Sequence, residues 1–228
     1  GRAIAEGLAG AGAEVICSSS RQGGCDETVQ AILDNGGKAS AVAANLSDRT
    51  AIESMIEEVG SIDILVNNGG TIERFPATDF PMEAWDKVIQ VNLSALFYIS
   101  QQFGKKMIAK GHGKIINIAS MLSYSGGITV PAYTASKHGV AGVTKALANE
   151  WAVHNLQINA IAPGYIKTDN TAALQANTAR YESILARIPA ARWGETTDLV
   201  GATIFLASDA SNYVNGTLIN VDGGWMAR

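Results

Sequence analysis

The chain has 228 residues, 47% of them hydrophobic and 17% charged, and carries a net charge of −4. That size suits one α/β domain with a full core, and that composition excludes a disordered chain. There is no Lys/Arg run for nucleic acid, no apolar stretch near the ~18–20 residues of a membrane span, and no signal peptide at the start, so a cytoplasmic protein is expected, without nucleic-acid or membrane partners.

Helical pattern begins at once over residues 1–9 and is ended by Gly10 and Gly12. Residues 14–18 read as a strand. Asp26 is expected to cap a helix reaching about Asn35, which Gly36 and Gly37 stop. Residues 39–44 form a second strand, and Asp48 caps a helix ending near Gly60. Residues 62–66 form a third strand, followed directly by Asn67-Asn68-Gly69-Gly70. After a loop with Pro76 and Pro81, a long helix runs from about Glu83 through Asn92 to Lys110, with a break expected near Gly104. Residues 115–119 are a buried strand with Ser120 at its carboxyl end. A Gly-Gly turn and Pro131 then lead into a helix carrying Tyr133 and Lys137. Residues 157–162 are a strand ended by Pro163-Gly164, and residues 168–188 are loosely helical. A helix over 197–208 and a strand over 217–221 close the chain before Asp222-Gly223-Gly224.

Strands alternate with helices, and each strand is a continuous apolar run. That pattern implies a parallel sheet covered on both faces, in one domain over 1–228. A dinucleotide-binding sheet of this kind normally opens with a strand, a Gly-rich turn and a helix. Here the pattern begins at the end of that turn, with Gly1 as its last glycine. The expectation is a domain truncated at the N-terminus by about 20 residues, lacking the first strand and most of the turn.

Tyr133 and Lys137 are four apart, so phenol and ammonium share a helix face. A phenol titrates near ~10, and a neighbouring cation favours its phenolate. Ser120, at a strand's carboxyl end, is placed to hold a carbonyl oxygen beside it. The set suits proton transfer to or from an alcohol or ketone oxygen. Either pair alone would be ordinary; the ordered set carries the reading. Cys17 and Cys25 fit neither a CxxC nor a zinc spacing, and His112, His138 and His154 form no metal motif, so free thiols and no metal are expected.

These motifs, in order and spacing, resemble the short-chain dehydrogenase/reductase family over essentially the whole chain. They are Asn67-Asn68-Gly69-Gly70, Asn92 in VNLS, Ser120, Tyr133-x-x-x-Lys137, and Pro163-Gly164-Tyr165-Ile166-Lys167-Thr168. The resemblance implies a doubly wound Rossmann fold with a seven-stranded parallel sheet, and a homotetramer. It implies that Tyr133 is the acid/base, that Lys137 lowers the phenol's pKa and bonds the nicotinamide ribose, and that Ser120 holds the substrate oxygen. Asn92 is implied to steady a water in a proton relay to Lys137. Gly1, Asn67, Gly69, Gly70, Pro163, Gly164, Ile166 and Thr168 are implied to hold the dinucleotide, with Asn45 and Leu46 at the adenine. Gly69 stands where the family usually has Ala.

Near Ser19, where NAD-dependent members carry an acid, the chain has only serines and Arg21, which could meet a 2′-phosphate. The second half, including GKIINIASMLSYSGG and PAYTASKHGVAGVTKALANEWA, is similar to the family's sugar-acid dehydrogenases, which are usually NAD-linked. NAD is therefore the expected cofactor, with NADP the alternative. The implied substrate is a sugar acid of the 2-deoxygluconate or 2-keto-3-deoxygluconate type. Met121, Ser123 and Tyr124 are expected to line its pocket, under a lid formed by residues 168–188. Arg187, Arg192 or Lys167 would meet its carboxylate, although each could equally form a surface ion pair. Alternatives are a gluconate 5-dehydrogenase, a 3-oxoacyl-carrier-protein reductase and a non-catalytic redox sensor; the presence of both Tyr133 and Lys137 argues against the last.

Overall fold

The computed structural model describes residues 1–228. In chain order the elements are α1 (Arg2–Gly10), β1 (Glu14–Ser19), α2 (Asp26–Asp34), β2 (Lys38–Ala43), α3 (Arg49–Val59), β3 (Ile64–Asn67), α4 (Met82–Ile89), α5 (Ala95–Lys110), β4 (Gly113–Ile118), α6 (Pro131–Trp151), β5 (Leu156–Pro163), α7 (Ala172–Gln175), α8 (Thr178–Leu185), α9 (Val200–Ala207) and β6 (Leu218–Val221). Asp48 caps α3 as expected, its carboxylate accepting from the Thr50 amide at 2.9 Å and the Ala51 amide at 3.3 Å. Asp26 does not cap α2. It lies inside the first turn, where its charge meets the positive end of the helix, and Cys25 holds the cap position. Pro131 starts α6, where its fixed φ fits a first helical turn.

The long helix breaks at Asn92 and not at Gly104. A π-helical stretch, Gln90–Ser94, separates α4 from α5. Gly104 lies within an unbroken α5, and its missing side chain admits Trp151 of α6. A Cβ built at Gly104 would stand 2.6 Å from the Trp151 ring.

All strand pairs are parallel. The six strands form two ladders, β1-β2 and β3-β4-β5-β6. No backbone pairing joins β1 to β3. Val15 of β1 and Ile64 and Val66 of β3 instead pack against one apolar cluster containing Ile4 and Leu8 of α1. β4 and β5 are the centre of the molecule. Ile115, Leu156, Ile158 and Ile161 are fully buried, each contributing ~1.5–3 kcal/mol by its removal from water. Neighbouring residues of β4 serve opposite faces. Ile115 packs with Phe103, Met107, Leu147 and Trp151 of α5 and α6. Ile116 packs with Ile4, Leu8 and Leu206 of α1 and α9. At the amino edge of the sheet, buried Lys114 donates to Gln157, Ser211 and Asn212, which fastens that end. The carboxyl edge is left to the loops.

Candidate active site

Strand register aligns the carboxyl ends: Asn67 beside Asn117, Ile118 beside Ile161, and Pro163 beside Val221. Ser120 follows β4 in extended conformation and opens a one-turn 3-10 helix, Met121–Ser123. Its Oγ accepts from the Leu122 amide at 3.1 Å. Ser123 Oγ accepts from the Ser120 amide at 3.3 Å and donates to the Lys137 carbonyl at 2.7 Å, which ties this turn to α6.

Tyr133 and Lys137 lie one turn apart on α6, as the spacing predicts. Burial pushes the Tyr133 phenol above its ordinary value, opposed by the Ser120 hydroxyl and by the positive charge of Arg74. Lys137 is 4% exposed. Its Nζ donates to the Ile118 carbonyl at 2.6 Å and stands 5.5 Å from the phenol ring centroid. Burial without an acidic partner lowers its pKa to about 8. The cation expected to act on the phenol was Lys137. The lysine's hydrogen bond goes to a carbonyl, and the charge of Arg74 also favours phenolate.

Asn92 is fully buried inside the π-helical stretch, and its side chain is engaged by protein groups. Oδ1 accepts from the Thr71 amide at 2.8 Å, and Nδ2 donates to the Thr71 carbonyl at 2.9 Å and to Ser136 Oγ at 3.1 Å. Ser136 Oγ in turn donates to the Tyr133 carbonyl at 2.7 Å. The loop after β3 is thereby fixed to the turn of α6 that bears the phenol.

Several residues expected to hold a dinucleotide line the carboxyl edge. A Cβ on Gly164 would meet the Asp222 backbone at 2.6 Å, one on Gly69 the Leu46 side chain at 2.5 Å, and one on Gly1 the Asn68 amide nitrogen at 2.9 Å. Glycine at these positions brings backbone close to whatever lies on the edge. Gly70 passes Asn92, and Asn45 forms its own turn by accepting from the Ser47 amide at 3.0 Å. Asn67 does not face this edge with its amide, which turns inward to donate to Ser100 and Asn117, both at 2.9 Å. Ile166 is likewise buried, beneath Gly194, and Thr168 begins a short helical turn. Ser19 Oγ donates to the Arg21 carbonyl at 2.6 Å, shaping the loop after β1, and Arg21 itself is exposed. Backbone exposed at the carboxyl ends of the parallel strands, with Lys137 at the end of β4 and Arg21 after β1, fits an extended dinucleotide.

The substrate residues divide. Tyr124 is exposed, and its hydroxyl donates to Asn220 at 2.9 Å. Met121 and Ser123 are buried, Met121 in the apolar cluster with Trp193 and Trp225. Arg192 is held by Asp198 through two bonds of 2.7 and 2.8 Å, and Lys167 pairs with Glu195 at 2.5 Å. Arg187 lies 4.0 Å over the Trp225 ring. The lid segment comprises a short 3-10 turn, α7 and α8, and Tyr181 of α8 stacks on Trp193 with centroids 5.1 Å apart. Arg74, in the loop after β3, donates to the Asn170 carbonyl at 3.0 Å, and no carboxylate lies within ion-pair distance of it.

A family model described as Enoyl-(Acyl carrier protein) reductase matches residues 1–226. The 2-dehydro-3-deoxy-D-gluconate 5-dehydrogenase of Bacillus subtilis is 52% identical, over all of this chain and 91% of its own length. The enzyme of the same name from Escherichia coli is 49% identical over 100% of this chain and 91% of its own. A solved structure from Agrobacterium tumefaciens, presented as a 2-deoxy-D-gluconate 3-dehydrogenase with bound NADP, superposes with a TM-score of 0.95 at 54% identity, covering 100% of this chain and 92% of that one.

Proposed function

The chain belongs to the short-chain dehydrogenase/reductase family, and on that premise we propose that it moves a hydride between a nicotinamide cofactor and a secondary alcohol or ketone of a sugar acid, of the 2-keto-3-deoxygluconate or 2-deoxygluconate type. The observation that carries the reading is the placement of Ser120 at the carboxyl end of β4, with Tyr133 on α6 and Lys137 buried one turn along the same helix face. The relatives' names supply the substrate class. When bound, the nicotinamide supplies the two-electron acceptor or donor. Ser120 would hold the substrate oxygen, and Tyr133 would take its proton in oxidation and return it in reduction. Gly69, Gly70, Gly164 and Thr168 would bring backbone against the dinucleotide, and Lys137 would bond the nicotinamide ribose.

NADP is the form we favour over the NAD expected from family likeness. No acid ends β1, Arg21 stands exposed beside it, and the Agrobacterium relative carries NADP. We further take the chain to be a single domain working in the cytoplasm as a homotetramer; no helix is long and apolar enough to cross a membrane.

The test is a panel of gluconate, 2-deoxygluconate, 2-keto-3-deoxygluconate and an acetoacetyl thioester, each run with both cofactors. Turnover of a sugar acid with the cofactor supports the reading, and a clear preference for the thioester overturns it. Arg21→Ala should raise KM for NADP by about tenfold, the loss of one charge-assisted contact, and leave KM for NAD nearly unchanged.

A further inference from the structure

Cys17 and Cys25 take no part in the chemistry above, yet the fold brings them to one place. Alternation along β1 turns Val15, Cys17 and Ser19 inward, and Cys17 is buried with Ala9 of α1 and Ile32 of α2. Cys25, at the cap position of α2, is half-buried and packs against the same cluster. The chain between them doubles back tightly. Ser19 Oγ donates to the Arg21 carbonyl at 2.6 Å, and the Gly24 amide donates to the same carbonyl at 3.2 Å. A Cβ built on Gly24 would stand 2.4 Å from Ser19 Oγ. The residue before Cys25 therefore touches the residue that shares a strand face with Cys17. Burial pushes the Cys17 thiol above its ordinary value, and the nearness of Cys25 adds to the rise. Gly23, at a φ of 74°, and Gly24 leave this turn the freedom to bring the two sulfurs together.

We propose that Cys17 and Cys25 are a redox modification site, which a hydroperoxide closes to a reversible disulfide, and that closing it loosens the hold of the β1–α2 loop on the 2′-phosphate of NADP. The bond itself is independent of the function proposed above, and its effect on NADP rests on the place given there to Arg21. Cys25 is the more accessible sulfur and meets the peroxide first. The O–O bond breaks, one oxygen joins the sulfur as a sulfenic acid, and the other leaves as water. The Cys17 sulfur then displaces that hydroxyl. The S–S bond forms as the S–O bond breaks, and the thiol proton leaves with the hydroxyl as a second water. Two thiols are thereby oxidised and one peroxide is reduced to two waters, and an external thiol reverses the bond by exchange. A disulfide holds its two backbones to a narrow range of separations, so Cys25 is drawn in past Ser19 and the turn built on the Arg21 carbonyl opens. NAD has no 2′-phosphate and loses little. Ser120, Tyr133 and Lys137 belong to β4 and α6 and stay as they are.

The experiment exposes the reduced full chain, Cys17→Ala and Cys25→Ser to hydrogen peroxide, and follows intact mass, free thiols and the binding of NADP and NAD by calorimetry. Wild type should lose two hydrogens and both free thiols, and regain them with a phosphine reductant. Its oxidised form should bind NADP about fivefold more weakly and NAD within about twofold of the reduced form. Neither variant should lose hydrogens, and Cys17→Ala should stop at an added oxygen. A wild type that gains oxygen without losing hydrogens, or that links one chain to another, overturns the site. A disulfide that forms within the chain while NADP affinity holds constant overturns its effect on the loop. Reduced wild type that does not bind NADP overturns the cofactor reading instead, and the mass still decides whether the pair closes. Cys25→Ser lies at a half-buried cap and should melt near wild type, so it carries the comparison even if Cys17→Ala fails to fold.

Discussion

Lys137 is a costly residue to keep. It is buried, carries no acidic partner, and its ammonium rests on a single carbonyl. For a base whose folded pKa lies below its unfolded value, the folded state binds its proton less readily. The penalty is therefore full at pH well below about 8 and is relieved as pH rises from there toward 10.5. Its size is on the order of 3 kcal/mol. Lys137→Met should abolish turnover and at the same time raise the melting temperature at pH 7, a gain that shrinks as the pH is raised to 10. Thermal unfolding across that pH range checks it, and a variant less stable than wild type at pH 7 refutes the assigned penalty. Tyr133→Phe removes the proton carrier and should lower kcat by about 10²–10⁴-fold while leaving cofactor affinity near wild type. The phenol is raised by burial, so it enters its basic form only at high pH. Alcohol oxidation should accordingly climb with pH through the alkaline range.

The helices that carry these groups meet through one glycine. Gly104 of α5 lies under the Trp151 ring of α6, where even a methyl group would stand 2.6 Å from aromatic carbons. Gly104→Ala gains up to ~1 kcal/mol in helix propensity and loses ~1–3 kcal/mol to overpacking, so a net loss of stability is expected. A melting temperature above wild type would show that the ring moves aside freely. β4, α6 and the Ser120–Tyr133–Lys137 set were legible in the sequence because each rests on a local pattern: an apolar run between breakers, and an i,i+4 pair. The π-helical break was not. Apolar periodicity reads straight through residues 83–110, and glycine is the ordinary signal for a break. The cause lay instead in an amide, Asn92, drawn to Thr71, 21 residues earlier. The partner of Lys167 was hidden for the same reason, since its pairing with Glu195 spans 28 residues. Arg74 was illegible because nothing local marks a loop arginine as unpaired. Met121 was read as pocket lining because it follows Ser120, whereas the helical turn after Ser120 swings it into the core.

In the molecule as a whole, the predicted alternation of parallel strands and helices is present, and sedimentation in solution would test the proposed tetramer. The strands fall into two hydrogen-bonded ladders. β1 and β2 hold only each other and alternate between exposed and partly buried positions, while β4 and β5 are almost wholly buried and paired on both sides. Local opening follows such differences in burial and pairing. The protein should therefore run on two amide-exchange clocks. Val15, Ile16 and Cys17 would lose protection at least tenfold faster than Ile115, Ile116 and Ile158. A dinucleotide laid from Arg21 to Lys137 touches both ladders, so binding it should bring the faster clock toward the slower.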